Sequence, residues 1–187
     1  MAVSAVPATT ASHYLPPHGS PHELVGGLCH GWAVAKSREP FSIRLEVRLS
    51  DLDPQLHVTG AAYHQYADHA RFECVQAAGI SVPDLLADGF GPVNLETTIR
   101  YLRELRAGDT VEVTCSWIWS GGKTYRVEHN LIRADGELSA TVTHVSGLMD
   151  LRERRLVPDP MRQWAARATD PTLLCLPAEM QRREAVP

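Results

Sequence analysis

Apolar and polar residues alternate strictly from Phe41 to Ser50. Ile43, Leu45, Val47 and Leu49 fall on one side, and Ser42, Arg44, Glu46, Arg48 and Ser50 on the other. A period of two with one apolar face marks a half-buried strand, and Pro54 stops it. After Thr59-Gly60 the period changes. From Ala61 to about Gly79, the residues Tyr63, Tyr66, Ala67, Ala70, Cys74, Ala77 and Ala78 share one face, with Gln65, Asp68, His69, Glu73 and Gln76 largely on the other. That pattern predicts a long amphipathic helix. Its buried face is rich in alanine, so the helix is suited to lie close against a sheet. Gly79 reads as its C-terminal cap. Asp68 and Arg71 have helical spacing and read as a surface pair worth little.

Pro83 to Gly91 reads as a loop with room for a short helix. Four strand-like segments follow: Val93–Leu102, Thr110–Ser120, Thr124–Arg133 and Leu138–Leu151. They are separated by Gly108-Asp109, Gly121-Gly122 and Asp135-Gly136, of which Gly-Gly and Asp-Gly are tight-hairpin signals. The later strands should therefore form an antiparallel meander. After Pro158 and Pro160, Met161–Ala168 reads as a short helix. Residues 1–38 carry no strong periodic element and read as a mostly disordered tail, with His22–Lys36 as a candidate docking segment. The expected organisation is thus a tail over 1–38, one domain over 39–160, and a short helix with a C-terminal tail over 161–187. The order strand, long helix, four strands predicts an α+β fold: a five-stranded antiparallel sheet with the helix across one concave face, completed by dimerisation.

Composition narrows the function. The chain has 187 residues, 44% hydrophobic and 21% charged, and a net charge of -4. That balance gives no electrostatic reason to expect nucleic acid as a partner. No apolar run reaches membrane-spanning length, so no membrane partner is expected. The N-terminus lacks a basic start followed by an apolar core, unlike a signal peptide. The four cysteines, Cys29, Cys74, Cys115 and Cys175, form no CxxC pair, which argues against structural zinc and a disulfide framework. Cys74 and Cys115 fall on apolar positions and read as reduced core residues. A cytoplasmic enzyme is the expectation, with no cofactor.

The candidate chemistry lies in Asp51-Leu-Asp53-Pro-Gln-Leu-His57-Val-Thr-Gly60-Ala-Ala-Tyr63. Two carboxylates and a histidine meet where a strand hands over to a helix N-terminus. Such a junction supplies a reactive carboxylate and backbone donors for an oxyanion. Asp51 reads chiefly as a cap of the loop turn. Tyr63 and Tyr66 have core spacing, with a hydroxyl at a groove as the second reading. Arg152, Arg154 and Arg155 read as a solvated face. Asp51, Asp53 and His57 make a poor metal set, because nothing nearby supplements them, and no metal is expected.

The segment Arg48 to Arg71, RLSDLDPQLHVTGAAYHQYADHAR, resembles the 4-hydroxybenzoyl-CoA thioesterase group of hot-dog-fold acyl-CoA thioesterases. Asp51, Asp53, His57, Tyr63, Tyr66, Asp68 and Arg71 match that family's pattern without a gap. Tyr101 through Gly108-Asp109 is similar to its strand-and-turn signature, and Asp135-Gly136 through Ala140 to its last hairpin. The resemblance covers about Phe41 to Pro160. Leu56 departs from it, standing where the family usually has glycine, and Thr59-Gly60 replaces a frequent Asn-Asn. The resemblance implies a hot-dog fold, with the sheet wrapped around one long helix and paired in a homodimer or dimer of dimers. It implies hydrolysis of an acyl-CoA or acyl carrier protein thioester. Asp53 would be nucleophile or general base, Gly60 the oxyanion position, and His57 a further site member. Leu56, Thr59 and Tyr63 would contact substrate. Two alternatives stay open: a hot-dog enoyl-CoA hydratase, since Asp51 to His57 is similar to Asp-x-Asn-Pro-Leu-His with one extra residue, and a non-catalytic acyl binder.

Overall fold

The computed structural model describes residues 39–177. The expected N-terminal tail, its segment His22–Lys36, Cys29 and residues 178–187 lie outside the described residues. Strand β1 (Phe41–Glu46) is followed by a 3-10 turn, Leu49–Asp51, and helix α1 (Gly60–Ala77). A short helix α2 (Val82–Ala87) leads into β2 (Phe90–Tyr101), β3 (Thr110–Trp119), β4 (Thr124–Arg133) and β5 (Leu138–Asp150). A two-residue strand β6 (Arg155–Leu156), helix α3 (Pro160–Ala165) and a 3-10 turn Pro171–Leu174 complete the described chain.

The main sheet is antiparallel in the order β1-β3-β4-β5-β2, with β6 paired to β5. The expected meander covers β3 to β5. Its first turn carries Gly121 and Gly122, both with φ of 80°, the left-handed backbone that a tight hairpin needs. The remaining strand departs from a simple meander. β2 runs along the far side of β5, from Phe90 opposite Asp150 to Tyr101 opposite Ala140. The chain then crosses the end of the sheet over residues 102–109 to reach β3. Leu105 anchors this crossover, fully buried. β1 is shorter than its alternation suggested, because the chain turns into a 3-10 helix at Leu49.

Helix α1 packs its alanine face onto the sheet. Ala67 and Ala70 have no exposed surface, and Ala62, Tyr63, Tyr66, Cys74 and Val75 are buried beside them. Ala77 is exposed instead of buried, and Val75 takes that part of the face. Thr59 caps the N-terminus, its Oγ1 accepting from the Ala62 amide at 3.2 Å. At the other end the Ile80 amide donates to Val75 O at 3.1 Å, closing a Schellman-type cap around Gly79, whose φ is 79°. A Cβ there would sit 1.9 Å from Thr169 Oγ1, so glycine is required for two separate reasons.

The core forms two apolar clusters. One joins the C-terminal half of α1 to Trp117, Tyr125, Val127, Leu148 and Trp164 of α3. The other joins its N-terminal half to Val111, Val113, Leu131, Ala140 and Val142. Along β4, His129 separates Val127 of the first cluster from Leu131 of the second. Along β5, His144 and Ser146 separate Val142 from Leu148. All three are fully or almost fully buried, so a polar seam crosses the core under α1. Among the described residues, no helix is long and apolar enough to cross a membrane.

Candidate active site

The loop into α1 folds as a miniature hairpin. Leu52 and Val58 form an isolated bridge, and the Asp53 amide donates to His57 O at 2.8 Å. At its tip the Leu56 amide donates to Asp53 O at 2.9 Å, closing a turn with Pro54 at its second position, where proline's fixed φ is favoured. Asp53 Oδ1 accepts from the amides of Gln55 at 2.8 Å and His57 at 3.1 Å. Oδ2 takes no donor among the described residues. One carboxylate oxygen is therefore held by the backbone and the other remains available.

Leu56 adopts φ of 62°. This is the left-handed region that glycine populates freely. The loop bends as a glycine loop would, despite the substitution, and leaves the leucine side chain exposed.

Asp51 braces the loop against the helix. Its Oδ2 accepts from the Arg48 amide at 3.0 Å and from the Tyr66 hydroxyl at 2.6 Å. Burial would raise its pKa, but the bonds from Tyr66, Arg48 and Ser50, with the Arg48 charge, outweigh that and bring it below the usual carboxylate value. Burial, then the Asp51 hydrogen bond and charge, push the Tyr66 phenol well up. Tyr66 therefore stays a neutral donor in the brace.

The crossover after β2 packs on this loop. The Val58 amide donates to Leu105 O at 3.0 Å. His57 Nε2 lies 3.0 Å from Glu104 Oε2 and 3.4 Å from Arg106 Nη2. Thus the backbone of His57 holds Asp53, while its ring is engaged by the crossover. Tyr63 is buried, its hydroxyl 3.4 Å from Ser139 Oγ and 3.5 Å from Arg103 O. Thr59 spends its hydroxyl on the helix cap. Gly60 opens α1 and is exposed; a Cβ there would meet the Tyr101 hydroxyl at 2.7 Å. The amides of Gly60 and Ala61 take no acceptor among the described residues, as expected of a first helical turn. Asp51, Asp53, Leu56, His57, Thr59, Gly60 and Tyr63 therefore gather around the N-terminus of α1, but Thr59 and Tyr63 turn their hydroxyls inward. A depression of about 590 Å³ beside β1 includes Asp51 and Tyr66 in its wall, but not Asp53, His57 or Gly60.

A second polar group lies further along α1. Asp68 and Arg71 pair at 2.8 Å, with side chains only 27% and 11% exposed. The surface pair expected from spacing is in fact half-buried under β2. Arg71 also donates to Asn94 Oδ1, which accepts from Ser146 Oγ at 2.9 Å. His64 Nδ1 lies 3.5 Å and His144 Nε2 3.8 Å from the Asp68 carboxylate. Thr97 Oγ1 lies 3.0 Å from His144 Nδ1 and 3.5 Å from His64 Nε2. Desolvation, then the Arg71 charge, holds His144 down at about 4, against the pull of Asp68. Desolvation, then the charge of His144, takes His129 to about 3. Both rings are neutral near pH 7. The ligand atoms of His64, Asp68 and His144 all lie within 4.8 Å of one another, the metal-compatible cluster among the described residues. Sequence reading missed this group. Its signal was parity: His129 and His144 occupy inward positions of strands whose other inward residues are apolar, Ser146 apart.

The sequence pattern of the thioesterase-like superfamily matches residues 47–168. The L-carnitine dehydrogenase/betainyl-CoA thioesterase of Agrobacterium fabrum is 30% identical over 104 residues, 56% of this chain; the match spans only 21% of that protein. A 1,4-dihydroxy-2-naphthoyl-CoA thioesterase from Synechocystis superposes with a TM-score of 0.63 at 19% identity, covering 72% of this chain and 95% of that one. A Staphylococcus aureus protein solved in complex with CoA gives 0.64 at 20% identity, covering 83% and 100%. These two likenesses concern the fold, a curled antiparallel sheet packed on a long helix. With the match spanning more than half of its length, the chain belongs to the thioesterase-like superfamily.

Proposed function

We propose that this protein hydrolyses acyl-CoA thioesters, with Asp53 as the reactive carboxylate. The observation that carries the reading is the state of that carboxylate. Oδ1 is fixed by two backbone amides and Oδ2 is free, on a hairpin leading directly into α1. The free oxygen either attacks the thioester carbonyl or activates a water. The unpaired amides at Gly60 and Ala61, at the positive end of the helix dipole, stabilise the oxyanion. Gly60, lacking a side chain, lets the thioester approach the backbone. His57, tethered to Glu104, borders the site beside Leu56 and Thr59. Tyr63 supports it from beneath.

CoA is favoured over a carrier protein as the thiol, because the Agrobacterium relative is named a betainyl-CoA thioesterase and the Staphylococcus structure holds CoA. The hydratase alternative needs an imidazole and a carboxylate converging on one substrate, and the His57 ring lies on Glu104 instead. The acyl groove is completed by a second copy of the chain. β2 supports this: it is a sheet edge from Phe90 to Tyr101, with exposed Leu95 and Tyr101 along it, and such an edge favours pairing with another strand. The test is thiol release from a panel of acyl-CoA esters by the wild type and Asp53→Asn.

A further inference from the structure

We propose that His64, Asp68 and His144 form a binding site for one divalent transition-metal ion, separate from the Asp53 loop. His64 and Asp68 stand one turn apart on α1, so their side chains project from the same helix face. His144 reaches them from β5 across the polar seam. Two imidazoles and a carboxylate are a donor set suited to zinc-class ions, and three protein ligands leave positions open for water or another ligand.

The independent sign is His144. Its side chain is fully buried, and Nε2 has no hydrogen-bond partner although it faces Asp68 Oδ1 at 3.8 Å. A buried nitrogen without a partner costs free energy; an ion bound by its lone pair removes that cost. The ring nitrogens on the far side fit the same reading. Thr97 Oγ1 lies within reach of both His144 Nδ1 and His64 Nε2. As acceptor for both N–H groups, it leaves the lone pairs of His144 Nε2 and His64 Nδ1 directed to Asp68. Metal-bound histidines are commonly oriented in this way by a partner on the other nitrogen.

Asp68 is itself fixed, through Arg71, Asn94 and Ser146. Arg71 occupies Oδ1 at 2.8 Å and leaves Oδ2 for the ion. Its positive charge opposes the cation, so this site binds more weakly than a closed structural zinc site. Donor atoms within 4.8 Å of one another must draw in to roughly 3–3.5 Å around an ion with bonds of about 2.0–2.2 Å. Small side-chain rotations on α1 suffice, since His64 and Asp68 are partly exposed. The sequence expectation of no metal rested on Asp51, Asp53 and His57, which are other residues.

The experiment uses the untagged full chain, stripped with a chelator and titrated with zinc by calorimetry and with cobalt by visible absorption. The wild type is expected to take up one equivalent with a rise in melting temperature. Thr97→Val is expected to weaken binding about 10–100-fold, and His64→Gln and Asp68→Asn more than that. His69→Gln, an exposed histidine on the same helix, serves as the unaffected control. Circular dichroism of the metal-free variants establishes that they fold; the test rests on His64 and Asp68 because a variant of buried His144 risks the core. Absence of binding to the wild type would overturn the site, as would wild-type affinity in folded His64→Gln and Asp68→Asn.

Discussion

At the scale of single residues, the loop before α1 depends on a few backbone conformations. Leu56 is held at φ of 62°, where a side chain costs roughly 1–2 kcal/mol. Glycine removes that strain but gives back about 0.5–1 kcal/mol through its freer unfolded chain. Leu56→Gly is therefore expected to stabilise the protein by about 0.5–1 kcal/mol, seen as a higher urea midpoint at unchanged slope. A loss of stability would mean that the leucine side chain, exposed in the single chain, is buried in the assembled protein. Residue identity alone gave much of this loop. Asp51 as a cap follows from its chemistry, and its bonds to the Arg48 amide and Tyr66 bear that out. The direction of the His57 ring was not legible, because Glu104 and Arg106, which engage it, arrive from a crossover nearly fifty positions away.

At the scale of elements, alternation located β1 and β3 and the helical period located α1, because each buries its apolar residues on one face. The Gly-Gly and Asp-Gly turns fixed the β3–β4 and β4–β5 hairpins. The position of β2 at the far side of β5 was not legible from any local signal, since no tight turn constrains residues 102–109. Nor was the half-burial of the Asp68–Arg71 pair, which depends on that position of β2. The same edge carries the proposed assembly. Leu95 sits at the register shift between Asn94 and Glu96 and is 50% exposed. If β2 pairs with its counterpart in a second copy, Leu95→Arg places two charges at the junction. It should shift the protein toward monomer in light scattering and reduce thiol release together. A variant that remains as associated as the wild type would remove β2 from the interface.

At the scale of the whole molecule, the buried seam couples stability to pH. In metal-free protein His129 and His144 titrate at about 3 and about 4, against about 6.5 in an unfolded chain. Both folded values are depressed, so between these limits the unfolded state binds more protons and stability rises with pH. The two rings leave stability unchanged with pH above about 6.5 and lower it progressively as pH falls below that value. With a chelator present, unfolding free energy is expected to fall by about 2 kcal/mol per histidine from pH 7 to pH 5. A His129→Gln variant that folds should show about half of that loss. A pH-independent urea midpoint over this range would contradict the buried, neutral state of both rings.

The central claim is that the free oxygen of Asp53 does the chemistry beside the opening turn of α1. Its most direct test is the rate of thiol release from acyl-CoA by Asp53→Asn, with the fold checked by circular dichroism. The asparagine keeps an acceptor for the Gln55 and His57 amides but loses the reactive charge. A fall in kcat of at least about 100-fold, on the scale of removing one transition-state interaction, is the expected result. Turnover equal to the wild type would contradict the account.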